Sequence, residues 1–175
     1  MKQSFLLIFL CYSLNITAQK QPLLKNSKSI KPDIEKVVRD YFDHFYNIKG
    51  EKLDETKSTI EYQSKVVPYG ASESTITEIK GLKDVFSWQA TLMDTDDFGK
   101  AVEEYKKLYH ELSGANYLMY DKANWKFSGA YDTPTEERAF ASSILEPDVS
   151  EKSIKHLKIE IALNYSMPDW TVKVL

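Results

Sequence analysis

A strict two-residue alternation near the end of the chain constrains the fold most strongly. Within residues 156–165, apolar side chains occupy every second position, namely Leu157, Ile159, Ile161, Leu163 and Tyr165. Lys158, Glu160 and Asn164 fall between them. Successive side chains of a β-strand point to opposite faces of its sheet, so this pattern predicts a strand with one packed face and one solvated face. Strands of this kind are typical of antiparallel sheets.

Two other segments carry the three-to-four spacing of amphipathic helices. The first begins near Pro32 and stops at Gly50, with the apolar stripe Ile34, Val37, Val38, Tyr41, Phe42, Phe45 and Tyr46. The second is capped by the acidic run at 94–97 and ends at Gly114, with the stripe Phe98, Ala101, Val102, Tyr105, Leu108, Tyr109 and Leu112. Burial of Phe42, Phe45, Leu108 and Leu112 is expected to seat the helices on the sheet, so replacing Phe42 or Leu108 with Asp is expected to unfold the domain.

The remaining segments mostly alternate with a period of two. After a polar connection at 51–58, strands are expected at 60–66, 74–80, 85–93, 116–120, 125–131 and 170–175. Residues 121–124 form the hairpin loop between the fourth and fifth of these. Residues 138–145 are ambiguous, because 133–136 resembles a helix capping box while Phe140, Ser142 and Ile144 alternate. We expect a strand there.

These elements predict an α+β fold in which two helices pack on one face of a mostly antiparallel sheet. Along the chain the expected order is α-β-β-β-α-β-β-β-β-β. Residues 32–175 are long enough for a single domain of this kind. The polar, aperiodic residues 19–31 are expected to form a flexible lead-in.

Residues 1–18 have the composition of a secretory signal peptide, with Lys2 before an apolar run at 5–12 and a cleavage site expected near Ala18. The run is about ten residues long, whereas a bilayer-spanning helix needs roughly twenty, so no transmembrane segment is expected. The predicted location is the periplasm or the exterior. A lipid-modified Cys11 is the alternative, but Leu10 precedes it where such signals need Gly, Ala or Ser.

Cleavage near Ala18 would remove the only cysteine, so the mature domain is expected to depend on its apolar core and not on disulfides. The formal net charge is −3, and basic residues are interleaved with acidic ones. Nucleic acids and anionic membranes need clustered Lys and Arg, so they are not the expected partners.

No catalytic residue, metal ligand or cofactor is assigned from the sequence. Residues 94–99 resemble the first half of a calcium loop, but Phe98 and Tyr105 occupy ligand positions. His44, His110 and His156 stand alone, without zinc spacing. No serine lies in a Gly-x-Ser-x-Gly elbow, and the paired acids match a solvated surface.

The strongest binding hypothesis concerns the aromatic hairpin that holds Tyr117, Tyr120, Trp125, Phe127 and Tyr131. Core packing is the ordinary explanation for such rings. The functional alternative is an exposed platform formed by Tyr120 and Trp125, which would bind a sugar, a peptide or a partner protein. By residue parity, Trp125, Phe127 and Tyr131 share one side of the hairpin, and Tyr120 is the residue that need not join them.

The expected function is that of a non-catalytic binding or accessory domain of the bacterial envelope or exterior, with an unidentified protein or polymer partner on the outer face of its sheet. A small hydrolase is the main alternative, and a pocket gathering two of the histidines and carboxylates would favour it. A third hypothesis is a structural piece of a larger secreted assembly, since the sequence stops on a strand at Leu175.

Overall fold

The computed structural model describes residues 28–82, 85–149, 154 and 156–175. Its helices are α1 (Lys31–Asp40) and α2 (Phe98–Leu112), and a short 3-10 turn, Tyr41–Asp43, follows α1. Its strands are β1 (Lys49–Glu55), β2 (Thr59–Ser64), β3 (Glu73–Ile79), β4 (Phe86–Thr95), β5 (Asn116–Leu118), β6 (Asn124–Ser128), β7 (Phe140–Pro147), β8 (Ile159–Ser166) and β9 (Asp169–Val174). The predicted signal peptide lies outside the described residues.

The nine strands form one sheet in the order β1-β2-β3-β4-β9-β8-β7-β6-β5, and the neighbouring strands pair antiparallel. Strands β1 to β4 pair with their neighbours along the chain, and so do strands β5 to β9. The pairing of β4 with β9 joins these two groups. The predicted α+β class is confirmed, and the strand expected at 138–145 is present as β7. Residues 133–136 do not start a helix.

The order along the chain differs from the prediction in one strand, because four strands precede α2 instead of three. Residues 51–58 were expected to be a connection, but β1 covers most of them and pairs with β2. This strand lies at the edge of the sheet and its residues from Glu51 to Glu55 are exposed. An edge strand with charged side chains on both faces buries no alternating apolar set, so its sequence lacks the strand pattern.

Both helices cover the same face of the sheet. On β9, the buried side chains Trp170, Val172 and Val174 share one parity and therefore one face. The ring of Trp170 lies 4.8 Å from that of Phe98 on α2, whereas Val174 lines a cavity together with α1. The opposite face of the central strands carries small or polar side chains, such as Thr75, Gln89 and Thr171.

The N-terminus of α2 is capped as the acidic run predicts. Asp97 accepts a hydrogen bond from the backbone N–H of Lys100 at 3.1 Å, and the Lys100 ammonium lies 3.4 Å from its carboxylate. These two contacts hold the pKa of Asp97 below its ordinary value. The helix buries Ala101, Tyr105, Leu108 and Leu112 against the sheet.

The first helix is shorter at its C-terminus than the sequence predicts. It ends at Asp40, and the residues that were expected to extend its apolar stripe diverge: Phe45 is buried, whereas Phe42 and Tyr46 are 42% and 77% exposed. Phe42 is therefore not a core residue. At the other end Lys31 already belongs to α1 and Ile30 is buried, so the fold extends upstream of Pro32. Among the described residues, no helix is long and apolar enough to cross a bilayer.

Candidate functional site

A cleft of about 290 Å3 opens between the residues that follow α1 and the loop that joins β5 to β6. We call it the aromatic cleft, and its lining consists of Phe42, Asp43, Met119, Tyr120, Asp121 and Trp125. Tyr120 and Trp125 are the two residues that the sequence proposes as a binding platform. The structure brings both of them to this cleft.

The two predicted residues lie in the cleft in different ways. Trp125 is on β6 and only 7% exposed, and the edge-to-face contact of its ring with Phe42 spans 5.8 Å between centroids. Tyr120 is 68% exposed in the β5–β6 loop. This difference agrees with residue parity, because Trp125 and Phe127 share the buried side of the hairpin. Trp125 therefore forms the floor of the cleft and Tyr120 forms its exposed wall.

The other wall belongs to a turn in an unusual backbone conformation, residues 41–48, which we call the helix-end turn. His44 and Phe45 have φ values of 51° and 59°, in the left-handed region that bulky side chains rarely occupy. Each such residue costs roughly 1–3 kcal/mol and persists only where its surroundings fix it. The conformation makes Phe45 point into the core while Phe42, Asp43 and Tyr46 remain exposed.

The surroundings that fix this turn centre on Asp40, whose side chain is buried. Its carboxylate accepts hydrogen bonds from the backbone N–H groups of Asn47 and Ile48 at 3.1 and 3.2 Å, and from the side-chain amide of Asn47 at 2.6 Å. The backbone N–H of Phe45 donates to the carbonyl of Asp40 at 2.9 Å. The Asp40 carboxylate therefore accepts from backbone N–H groups that lie beyond the helix. Such local hydrogen bonds compete with those of a continued helix, so α1 stops at this residue.

Two charged side chains of α1 tie the hairpin to the helix. The backbone N–H of Leu118 on β5 donates to Glu35 Oε2 at 3.1 Å, and Arg39 Nε donates to the carbonyl of Leu118. Arg39 also pairs with Glu35 at 2.6 Å and places its guanidinium 5.8 Å from the centre of the Tyr120 ring. These contacts satisfy the backbone N–H and carbonyl of Leu118 and place Arg39 beside the exposed wall of the aromatic cleft.

A second cleft, of about 500 Å3, lies on the other side of the helix-end turn. Phe42 and Asp43 line both clefts, and the second one adds His44, Tyr46, Asn47, Lys49 and Phe86. The Lys49 ammonium lies 4.7 Å from the centre of the Phe86 ring. The helix-end turn is therefore a ridge that presents aromatic rings and a carboxylate to solvent on both sides.

The three histidines considered for catalysis lie on separate parts of the fold, but two of them share a cavity with a carboxylate, His44 with Asp43 and His156 with Glu160. His44 is on the helix-end turn, His110 is on α2 beside Tyr109, and His156 lines a third cavity. Ser142 donates to Glu160 at 2.6 Å, and the hydroxyls of Ser143 and Tyr105 are 2.7 Å apart in the core. Within the described ranges, no group of three or more His, Cys, Asp or Glu residues is arranged to hold a metal ion.

Sequence reasoning missed Phe42, Asp43 and Tyr46 as surface residues of the site. The helical spacing assigned Phe42 and Tyr46 to a buried stripe, and only the end of α1 at Asp40 turns them outward. A usable signal was present, because Asp and Asn at positions 40, 43 and 47 favour turns over helix interiors. Comparisons of the chain with protein-family models, with curated proteins and with solved structures find no significant match.

Proposed function

We propose that this chain is an exported, non-catalytic binding domain of the bacterial envelope or exterior, and that the aromatic cleft holds its partner. Export is supported by the apolar run at 5–12, the lysine before it and the small residues leading to Ala18. Binding is supported by the geometry of the cleft. The proposed surface differs from the outer face of the sheet, whose central strands present mostly small polar side chains.

The observation that carries the proposal is the exposure of two aromatic rings of the aromatic cleft, Phe42 and Tyr120, beside the carboxylates Asp43 and Asp121. Large rings in contact with water are unfavourable, and a cluster of them at the rim of a cleft is typical of interaction sites. Tyr and Phe also lose little side-chain entropy when they are bound, which suits them to contact surfaces.

The chemistry of the cleft favours a partner that presents Lys or Arg side chains. Aromatic faces attract cations, and nearby carboxylates add direct charge pairing. The guanidinium of Arg39 occupies one face of the Tyr120 ring, so a cation of the partner would contact the other face. The negative formal charge of the chain, −3, favours the approach of a basic partner. The proposed partner is therefore a basic segment of another envelope or exterior protein.

Affinity capture from a bacterial envelope extract tests this proposal, with the full chain as bait and Tyr120→Ala as the variant. Tyr69→Ala is the matched control, since Tyr69 is a similarly exposed tyrosine beside a lysine and lies outside the aromatic cleft. We expect a captured protein that Tyr69→Ala retains, that Tyr120→Ala weakens about tenfold, and that salt releases. Equal capture by both variants, or capture that is insensitive to salt, would contradict the proposal.

A further inference from the structure

A third cavity, of about 300 Å3, lies under α1 where the helix meets the ends of β4, β8 and β9. Eight of its lining side chains are buried and apolar or aromatic, among them Ile34, Val37, Val38, Trp88, Ile159 and Val174. These six come from the helix and from all three strands. The walls of the cavity therefore belong to the main core of the protein, and its mouth opens to solvent.

The mouth of this cavity is more polar than its walls. Tyr41 lies there half-buried, and Ser87 and His156 are exposed at the rim. The Tyr41 hydroxyl is protonated at neutral pH and can donate a hydrogen bond, and burial raises its pKa further. Lys158 and Glu160 also border the mouth, and their side chains pair at 3.5 Å, which leaves little net charge there.

The volume of the cavity and the chemistry of its lining together indicate which kind of ligand it can hold. Ligand pockets begin at about 300 Å3, and this volume holds about ten groups of the size of a water molecule or a methylene. Apolar walls give water too few hydrogen-bonding partners but suit a hydrocarbon.

We propose that this cavity binds a small amphipathic molecule with one apolar chain of about ten carbons, whose polar end accepts a hydrogen bond from Tyr41 at the mouth. Medium-chain fatty acids and alcohols have this chemistry. The site shares no lining residue with the aromatic cleft, so it does not depend on the proposed partner. The protein would then carry a ligand in its core as well as a binding surface at the end of α1.

Isothermal titration calorimetry of the full chain with sodium decanoate and with 1-decanol tests the proposal. We expect saturable binding of one molecule per chain, with a Kd on the order of 100 µM. Val37→Phe fills the cavity and should abolish binding. Tyr41→Phe should weaken binding of both ligands several-fold, because it removes only the hydroxyl donor. Tyr120→Ala, in the aromatic cleft, should leave the titration unchanged.

Two results would overturn this proposal: no saturable binding by the unmodified chain, or equal binding by a folded Val37→Phe variant. Val38→Phe is the second cavity-filling variant. If neither variant folds, methyl NMR of the unmodified chain decides. Shifts on adding decanoate should centre on Val37, Val38 and Ile159, and shifts centred on Leu112 and Leu145 would contradict the site. Nuclear Overhauser contacts from residues 19–27 into the cavity would show that the chain fills it itself, which would also overturn the proposal.

Discussion

The carboxylate of Asp40 holds Asn47 at two points, accepting from its backbone N–H at 3.1 Å and from its side-chain amide at 2.6 Å. This pair closes the helix-end turn across the left-handed residues His44 and Phe45. It also explains how one segment places Phe45 in the core and Phe42 at the surface. The exposed rings of the proposed binding surface therefore depend on a buried polar contact.

Replacing Asp40 with Ala should lower the free energy of unfolding by about 2–4 kcal/mol, because three donors lose their buried acceptor and one of them, the N–H of Ile48, is itself buried. Urea denaturation followed by circular dichroism measures the change. Asp43→Ala is the control, since Asp43 is exposed and its carboxylate accepts from the Asn47 amide at 3.2 Å. A loss as large in Asp43→Ala as in Asp40→Ala would argue against the role assigned to Asp40.

The different burial of Phe42 and Leu108 predicts different costs of truncation. Leu108→Ala should lower the free energy of unfolding by about 2–5 kcal/mol, because it opens a cavity beneath α2. Phe42→Ala should cost less than about 1 kcal/mol, since its ring is exposed and contacts mainly Tyr41 and Trp125. Chemical denaturation of both variants checks this order. If Phe42→Ala proves the more damaging change, Phe42 belongs to the core and the aromatic cleft is misassigned.

Glu35 and Arg39 should control local opening of the hairpin. Glu35→Ala removes the acceptor of the Leu118 N–H, so hydrogen exchange at that amide should accelerate at least about tenfold while global stability changes little. Lys36→Ala is matched to it, because Lys36 is on the same helix and pairs with Asp33 at the surface. Native-state exchange monitored by NMR distinguishes the two variants. An unchanged exchange rate at Leu118 in Glu35→Ala would remove this tie between helix and hairpin.

The ion pair between Asp132 and Arg138 should make stability depend on pH. Arg138 donates to both carboxylate oxygens at 2.9 and 2.8 Å and, with the backbone N–H of Ser142, holds the pKa of Asp132 below its ordinary value of 3.8. A lowered pKa means that the ionised form stabilises the fold above that ordinary value. The contribution disappears as the pH falls through the lowered pKa.

Thermal unfolding at pH 7 and near pH 2 measures this effect. Asp132→Asn should lower Tm at pH 7. The difference in Tm between this variant and the unmodified chain should be smaller near pH 2. Glu146→Gln, an exposed carboxylate on β7, should show no such pattern. A difference for Asp132→Asn that stays constant across this range would mean that charge is not the cause.

The sequence predicted most of the fold because most elements bury one regular face. The alternation around Ile161 and the stripe around Leu108 each specify an element without reference to the rest of the chain. The edge strand β1 and the early end of α1 could not be predicted in the same way. Strand β1 has no buried face, and the end of α1 depends on the hydrogen bonds between Asp40 and Asn47.

The candidate site was half predictable for a related reason. Residues of one parity on a hairpin face the core and those of the other parity face solvent, so the positions of Tyr120 and Trp125 along the chain were enough to distinguish them. The contact of Trp125 with Phe42 joins segments that are distant in sequence, and nothing in either segment encodes it. The same holds for the cavity under α1, whose walls come from four separate elements.

Site-specific photocrosslinking in living bacteria tests the proposed binding surface most directly. A benzoylphenylalanine placed at Tyr120 would lie on the wall of the aromatic cleft, and one placed at Tyr69 would lie on exposed surface outside it. We predict a discrete protein adduct from position 120 that Asp43→Asn weakens, and none from position 69. Adducts from position 69 alone, or none from position 120 in correctly exported protein, would contradict a binding role for the aromatic cleft.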